Sequence, residues 1–143
     1  MLIPDVNVLI YAFREESPDH EAYRDWLQAV ALGDESFGLS ELVCSSFLRL
    51  VTNPRLWNPA TPTDLALEFI EALRGRPNCV LVSPGPRHWG IFSGLCRQLG
   101  LGGNIVADAY LAALAIESGS EWVTADRDFR RFPGLRWRHP LGR

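Results

Sequence analysis

Residues 105–116, Ile-Val-Ala-Asp-Ala-Tyr-Leu-Ala-Ala-Leu-Ala-Ile, carry a single charge in twelve positions, that of Asp108. A stretch this apolar reads as a helix covered by other elements. Asp108 stands three residues after Ile105 and four before Ala112, which puts it on a packed face of that helix. An unpaired carboxylate there costs several kcal/mol or shifts its pKa. Two kinds of partner relieve that cost: an Arg in a structural ion pair, or a metal ion.

The remainder of the chain supplies the layers such a helix needs. Residues 2–10 form a short apolar run broken by Asp5 and Asn7, which predicts a buried strand giving way to a helical turn near Asp5. Ser17-Pro18-Asp19 reads as a cap, a first-turn proline and an early acid, opening a helix with Tyr23, Trp26, Leu27 and Val30 at helical spacing. Residues 37–39 read as a strand, followed by Ser40 as a cap. Val43, Phe47, Leu50 and Val51 then mark one face of a helix that stops at Asn53-Pro54. Thr63 is expected to cap a helix through Arg74, residues 79–82 to form a strand, and Pro86 to open a helix reaching Leu99. After the break at Gly100 to Gly103 come the helix 104–118, the strand 122–124 and an extended piece at 135–137. Strands alternating with helices predict an α/β sandwich around a mostly parallel sheet, in which ligands bind beyond the carboxyl ends of the strands.

The 143 residues, 47% hydrophobic and 22% charged, suit one domain spanning residues 1–143. No apolar run reaches the roughly 20 residues of a membrane span, and the first five residues do not resemble a signal peptide, so a cytoplasmic protein without a membrane partner is expected. The three cysteines, Cys44, Cys79 and Cys96, lack zinc-site spacing and are expected to be reduced. All 14 basic residues are Arg. The absence of Lys removes P-loop, Schiff-base and haloacid-dehalogenase-type chemistry. Residues 1–126 hold 8 Arg against 16 acids, whereas residues 127–143 hold 6 Arg against Asp128 alone. A basic tail on an acidic body points to an anionic partner near the C-terminus.

Two further aspartates stand at strand ends. Asp5 follows the first strand, where capping the next helix is the alternative to binding a ligand. Asp126, in Thr124-Ala125-Asp126-Arg127-Asp128-Phe129, follows the strand 122–124, where an Asx turn is the alternative. Asp5, Asp108 and Asp126 come from three elements that a parallel sheet can gather at one edge. Carboxylates about 4 Å apart repel by roughly 4 kcal/mol per pair at an effective dielectric of 20, so such a cluster needs a cation. Oxygen-only ligands select Mg²⁺ or Mn²⁺. A hard divalent ion with few protein ligands keeps waters that attack phosphodiesters, which suits a tail where Arg130, Arg131, Arg136 and Arg138 alternate with Phe132, Trp137 and His139 for phosphate contacts and base stacking. For Phe132 and Trp137, packing of the last strand is the competing role. The three histidines have no spacing that orients one against a nucleophile.

Four segments now carry a resemblance: residues 4–12 (Pro-Asp-Val-Asn-Val-Leu-Ile-Tyr-Ala), 47–55 (Phe-Leu-Arg-Leu-Val-Thr-Asn-Pro-Arg), 108–115 and 124–129. Together, in this order, they resemble the PIN-domain ribonucleases, and more narrowly the VapC toxins of bacterial toxin–antitoxin pairs. The resemblance implies a PIN-like three-layer α/β/α sandwich and Mg²⁺-dependent endonucleolytic cleavage of RNA leaving 5′-phosphates. It also implies a homodimer and a cognate VapB-type antitoxin. Asp5 matches the first metal-binding acid, Asp108 the third and Asp126 the fourth, with Thr124 as the hydroxyl beside it. Asn7 and Thr124 would orient the acids, and Asp128 would assist from just outside them. The second acid is the departure: its usual Glu position holds Ser46. Glu41, five residues earlier and about 140° around a helix, is the remaining candidate, with a first-turn dipole role as its alternative. Two other readings follow from the same residues. One is a catalytically impaired RNA-binding PIN protein, because of Ser46. The other is a metal-dependent phosphatase that begins with Asp after a strand, which the missing Lys and the Asp-Val-Asn spacing oppose.

Overall fold

In the computed structural model, which describes residues 1–143, the first apolar run forms the central strand β1 (Leu2–Pro4). Asp5 ends it, taking extended geometry (φ −74°, ψ 162°) as the cap of α1 (Val6–Phe13). Then come α2 (His20–Leu32), β2 (Phe37–Ser40), α3 (Glu41–Val51), α4 (Thr63–Arg74), β3 (Cys79–Val82), α5 (His88–Leu99), α6 (Ile105–Glu117), β4 (Glu121–Val123) and β5 (Trp137–Arg138). A 3₁₀ turn, Arg127–Arg131, lies between β4 and β5.

All five strands are parallel, in the order β3-β2-β1-β4-β5. The chain steps outward from β1 to β2 to β3, then returns across the sheet to β4. Right-handed crossovers therefore put α1 to α4 on one face and α5 with α6 on the other, and the contacts of α1 with α2 and α3, and of α5 with α6, follow that division. The reversal falls between β1 and β4, where parallel sheets bind their ligands. Asp5 lies there, its backbone N–H donating to the Val123 carbonyl at 2.8 Å.

Twenty-eight buried apolar residues make one core, with Ile3, Leu9, Phe37, Leu39, Phe47, Leu114 and Trp122 among its fully enclosed members. In α6, Ala109, Ala112, Ala113, Leu114 and Ala115 are buried, and these small side chains let the helix sit close on the sheet. Gly38 shows how tight the β2 layer is, since an added Cβ would lie 2.7 Å from Val82 Cγ2 and 3.0 Å from Ile3 Cγ1. Gly38→Ala should cost about 1–3 kcal/mol, read as a lower urea midpoint with an unchanged slope. A midpoint equal to the parent's would mean that the layer yields.

Helix starts depart from the sequence expectations in four places: α6 begins at Ile105 with Asn104 as its cap, and the other three have local reasons. α2 begins at His20, not at Pro18 behind a Ser17 cap, because Asp19 takes a left-handed conformation (φ 57°) and caps nothing with its side chain. Thr63 is the first helical residue rather than the cap, a position held by Pro62 with its fixed φ of −58°. α5 starts at His88, two residues after Pro86, because the Glu117 carboxylate holds the preceding loop by accepting from Gly85 N–H (2.7 Å) and Arg87 N–H (2.9 Å). All three cysteines are free thiols. No helix is long and apolar enough to cross a membrane.

Candidate metal centre

The sequence places Asp5 at the end of β1 and Thr124 just past β4, and the neighbouring strands bring them into contact. Asp5 is 5% exposed. Its Oδ1 accepts from Val6 N–H at 2.7 Å, and its Oδ2 accepts from the Thr124 hydroxyl at 2.7 Å and from the Asn7 amide at 3.3 Å. The Asn7 Nδ2 also donates to Thr124 Oγ1 at 3.1 Å, while Asn7 Oδ1 accepts from Ala125 N–H at 3.1 Å. Thr124 Oγ1 in turn accepts from Asp126 N–H at 3.0 Å. Asn7 and Thr124 thus fix the Asp5 carboxylate and the backbone that carries Asp126 relative to one another. Every donor in this knot has an acceptor, which is what a buried polar network requires.

Asp126 Oδ1 accepts from Asp128 N–H at 2.9 Å and opens the 3₁₀ turn. The Asx-turn role and the strand-end position therefore belong to the same residue. Asp108, in the first turn of α6, is half-buried. It accepts no hydrogen bond, and none of the five ion pairs of the protein includes Asp5, Asp108 or Asp126. The structural Arg partner is therefore not made.

These carboxylates act on one another. Burial pushes the Asp5 carboxyl up to about 6, opposed by the Thr124 hydroxyl and the Val6 N–H and reinforced by the negative charges of Asp108 and Asp126. Asp108 is raised for the same first reason, with Asp126 and Asp128 adding to it and Arg131 counteracting. Asp5, Asp108 and Asp126 thus lie within range of one another's charge, with the exposed Asp128 also acting on Asp108. No group of three His, Cys, Asp or Glu side chains is drawn into ion-holding contact. As for fit, the donors are all carboxylate oxygens, they repel one another, and Asp108 has no protein partner. That chemistry suits a hard divalent cation. If the Thr124 hydroxyl holds down the Asp5 pKa as its contact implies, Thr124→Val moves it above 6. Carbon-detected NMR titration of Asp5 reads the shift, and an unchanged midpoint would remove Thr124 from that role.

Glu41 and Ser46 lie outside this group. Neither is among the charges or donors that set Asp5 or Asp108. Glu41 is exposed in the first turn of α3, where its charge acts on Cys44, and it lines a separate cleft with Tyr110. Ser46 is half-buried on α3.

The basic tail is divided rather than continuous. Arg136 donates to the Gly119 carbonyl and Arg138 pairs with Glu121, both at the amino end of β4 and away from the carboxylates. Arg130 and Arg131 follow Asp126 and, with Asp128, Leu99 and Leu101, line a cavity of about 350 Å³. Arg131 Nε donates to the Asp128 carbonyl at 2.9 Å. Phe132 is 3% exposed and Trp137 packs against the core, so burial takes Phe132 out of any base-stacking role. His88 is buried with Nε2 3.0 Å from the Tyr110 carbonyl oxygen, a structural placement in keeping with the lack of any nucleophile beside it.

Residues 2–135 match the family model described as PIN domain. The chain belongs to the PIN-domain family. It is 44% identical over 141 residues to VapC ribonuclease Mb2897 of Mycobacterium bovis, covering 99% of this chain and 96% of that protein. It is 39% identical over 140 residues to ribonuclease VapC25 of Mycobacterium tuberculosis, covering 98% and 99%. These full-length likenesses place this PIN-domain chain among the VapC proteins. Among solved structures, VapBC2 from Rickettsia felis bound to a promoter DNA fragment aligns with a TM-score of 0.70 at 20% identity, over 96% of this chain and 97% of that one. VapBC-1 from nontypeable Haemophilus influenzae aligns at 0.68 and 17%, over 97% of each. Both carry the α/β/α fold, as the resemblance implied.

Proposed function

We propose that this PIN-domain protein is a divalent-metal-dependent endoribonuclease, the toxin of a VapBC-type pair. The observation that carries this reading is the Asp5, Asp108 and Asp126 pocket, in which Asp108 is half-buried with no protein partner. The relatives named ribonucleases support the reaction class, and the structural neighbours solved as VapBC complexes support a VapB-type antitoxin as partner, with the toxin as a homodimer.

Asp5 and Asp108 would hold a Mg²⁺ ion, for which Mn²⁺ can substitute, and Asp126 would complete the acidic ring. Such an ion supplies a water activated at neutral pH and offsets charge developing on the phosphodiester. The protein's part is positioning. Asn7 and Thr124 keep the Asp5 oxygens oriented, as hydrogen bonds to ligating carboxylates do. Asp126 orients the attacking water, Asp128 assists from the rim, and Arg130 and Arg131 receive RNA phosphates next to the site. The product ends are 5′-phosphates.

The deciding experiment presents purified protein with total RNA in Mg²⁺ or in EDTA and sequences the fragment ends. Mg²⁺-dependent fragments with 5′-phosphates are expected. RNA that is bound but uncut under both conditions would favour the impaired RNA-binding reading, for which Ser46 at the second acid position is the supporting residue.

A further inference from the structure

One strand over from Asp5, the carboxyl ends of β2 and β3 enclose a cleft of about 250 Å³ lined by Glu41, Leu42, Ser83 and Tyr110 among others. β2 is the neighbour of β1 in the sheet, paired to it through Phe37 and Leu2, so the cleft lies one strand over from the strand that leads into Asp5. Tyr110 lies two residues past Asp108 on α6, about 200° around that helix. The cleft and Asp5 thus share the carboxyl edge of the sheet, one strand apart.

Its walls are dissimilar in a useful way. The Tyr110 ring is wedged edge-on against His88 (4.4 Å between centroids, 65°) and Phe92 (5.5 Å, 74°), and His88 is itself buried. The aromatic wall is thus braced from behind. Leu42 is 43% exposed, an apolar lip with nothing over it. The Glu41 carboxylate takes part in none of the five ion pairs.

A free carboxylate offers two acceptor oxygens and no donor. Guanine alone among the RNA bases presents two adjacent donors, N1–H and the N2 amino group, on its Watson–Crick edge. Adenine and cytosine set a ring acceptor beside the amino group, and uracil flanks its N–H with two carbonyls, so each would press an acceptor against Glu41. Unpaired bases are read on that edge while packing against aromatic side chains. We propose that this cleft seats an unpaired guanine beside the scissile phosphate, with Glu41 accepting from N1–H and N2–H and with Tyr110 and Leu42 packing on the ring. The assignment rests on the ribonuclease reading above.

The test is cleavage of an RNA library with a randomised single-stranded loop, using the unaltered protein and Glu41→Gln, with fragment ends sequenced. Expected is a guanine preference of about tenfold or more at one fixed position from the cut. Inosine there, which lacks the N2 amino group, should cut several-fold more slowly. Glu41→Gln should erase the preference while rates at sites without guanine stay within about twofold. The absence of a guanine preference, or a uniform loss at all sites in Glu41→Gln, would overturn the assignment and leave the ribonuclease reading intact. If the unaltered protein cuts no RNA, the ribonuclease reading falls instead. The cleft is then judged by NMR in EDTA, where guanosine monophosphate must perturb Tyr110 more than adenosine monophosphate does, and equal perturbation rejects it.

Discussion

Asp108→Asn lowers the rate of RNA cleavage at saturating Mg²⁺ by about 10²-fold or more, with the thermal midpoint held within a few degrees of the parent's. The size follows from the job assigned to the residue, because losing one anionic ligand weakens the hold on the ion that activates water and screens developing charge. The fold survives because Asp108 accepts no hydrogen bond and joins no ion pair that the amide would break. Removing charge from a half-buried, crowded carboxylate whose pKa is already raised relieves repulsion rather than creating it. A variant that cuts RNA at the parent's rate would leave the pocket without a chemical role.

The second large effect is in stability, and its sign is opposite to the usual behaviour of a buried acid in an ion pair. The Asp5 carboxyl is pushed up from 3.8 to about 6 in the folded protein. Well below 3.8 it is neutral in both folded and unfolded chains and costs nothing. As pH rises from 3.8 through 6 the unfolded chain ionises freely while the folded state must either keep its proton or hold a buried charge, so stability is lost across that window and levels off above it. A shift of this size corresponds to about 3 kcal/mol of pH-dependent destabilisation at neutral pH in the absence of metal. Asp5→Asn removes that dependence. Its stability relative to the parent should climb by about that amount between pH 3 and pH 7.5 in EDTA, whatever fixed offset the altered contacts with Thr124 and Asn7 introduce. Saturating Mg²⁺ should stabilise the parent at pH 7.5 and leave Asp5→Asn nearly unmoved, since a ligand stabilises only the state that binds it. Urea titrations at a series of pH values decide this, and parallel stability curves for the two proteins would contradict it.

Much of the layer architecture was legible because its signal is periodic. The apolar runs ending at Asp5 and Thr124 and the helical spacing of Tyr23, Leu27, Phe47 and Val51 each reflect burial of one face, and burial is what the fold imposes. Helix starts were less legible. The start of α5 depends on Glu117, thirty residues away in sequence, and that of α2 on a left-handed Asp19 that no local pattern announces. In the site, the three aspartates were visible as charges in apolar settings, and Asn7 and Thr124 as polar residues beside them. The way these two lock to Asp5 depends on β1 and β4 being neighbours, a tertiary fact. The tail was the least legible part. Arg136 and Arg138 add to its charge just as Arg130 and Arg131 do, yet their side chains turn to the Gly119 carbonyl and to Glu121 at the amino end of β4, even though the Arg138 backbone stands opposite Val123.

Binding of the ion itself is the most direct test. Calorimetric or electron-paramagnetic titration of Mn²⁺ at pH 7.5 should show a site in the parent protein that weakens at least tenfold in both Asp5→Asn and Asp108→Asn, variants in different elements of the fold. Undiminished Mn²⁺ affinity in either variant would mean that Asp5 and Asp108 do not serve the same ion.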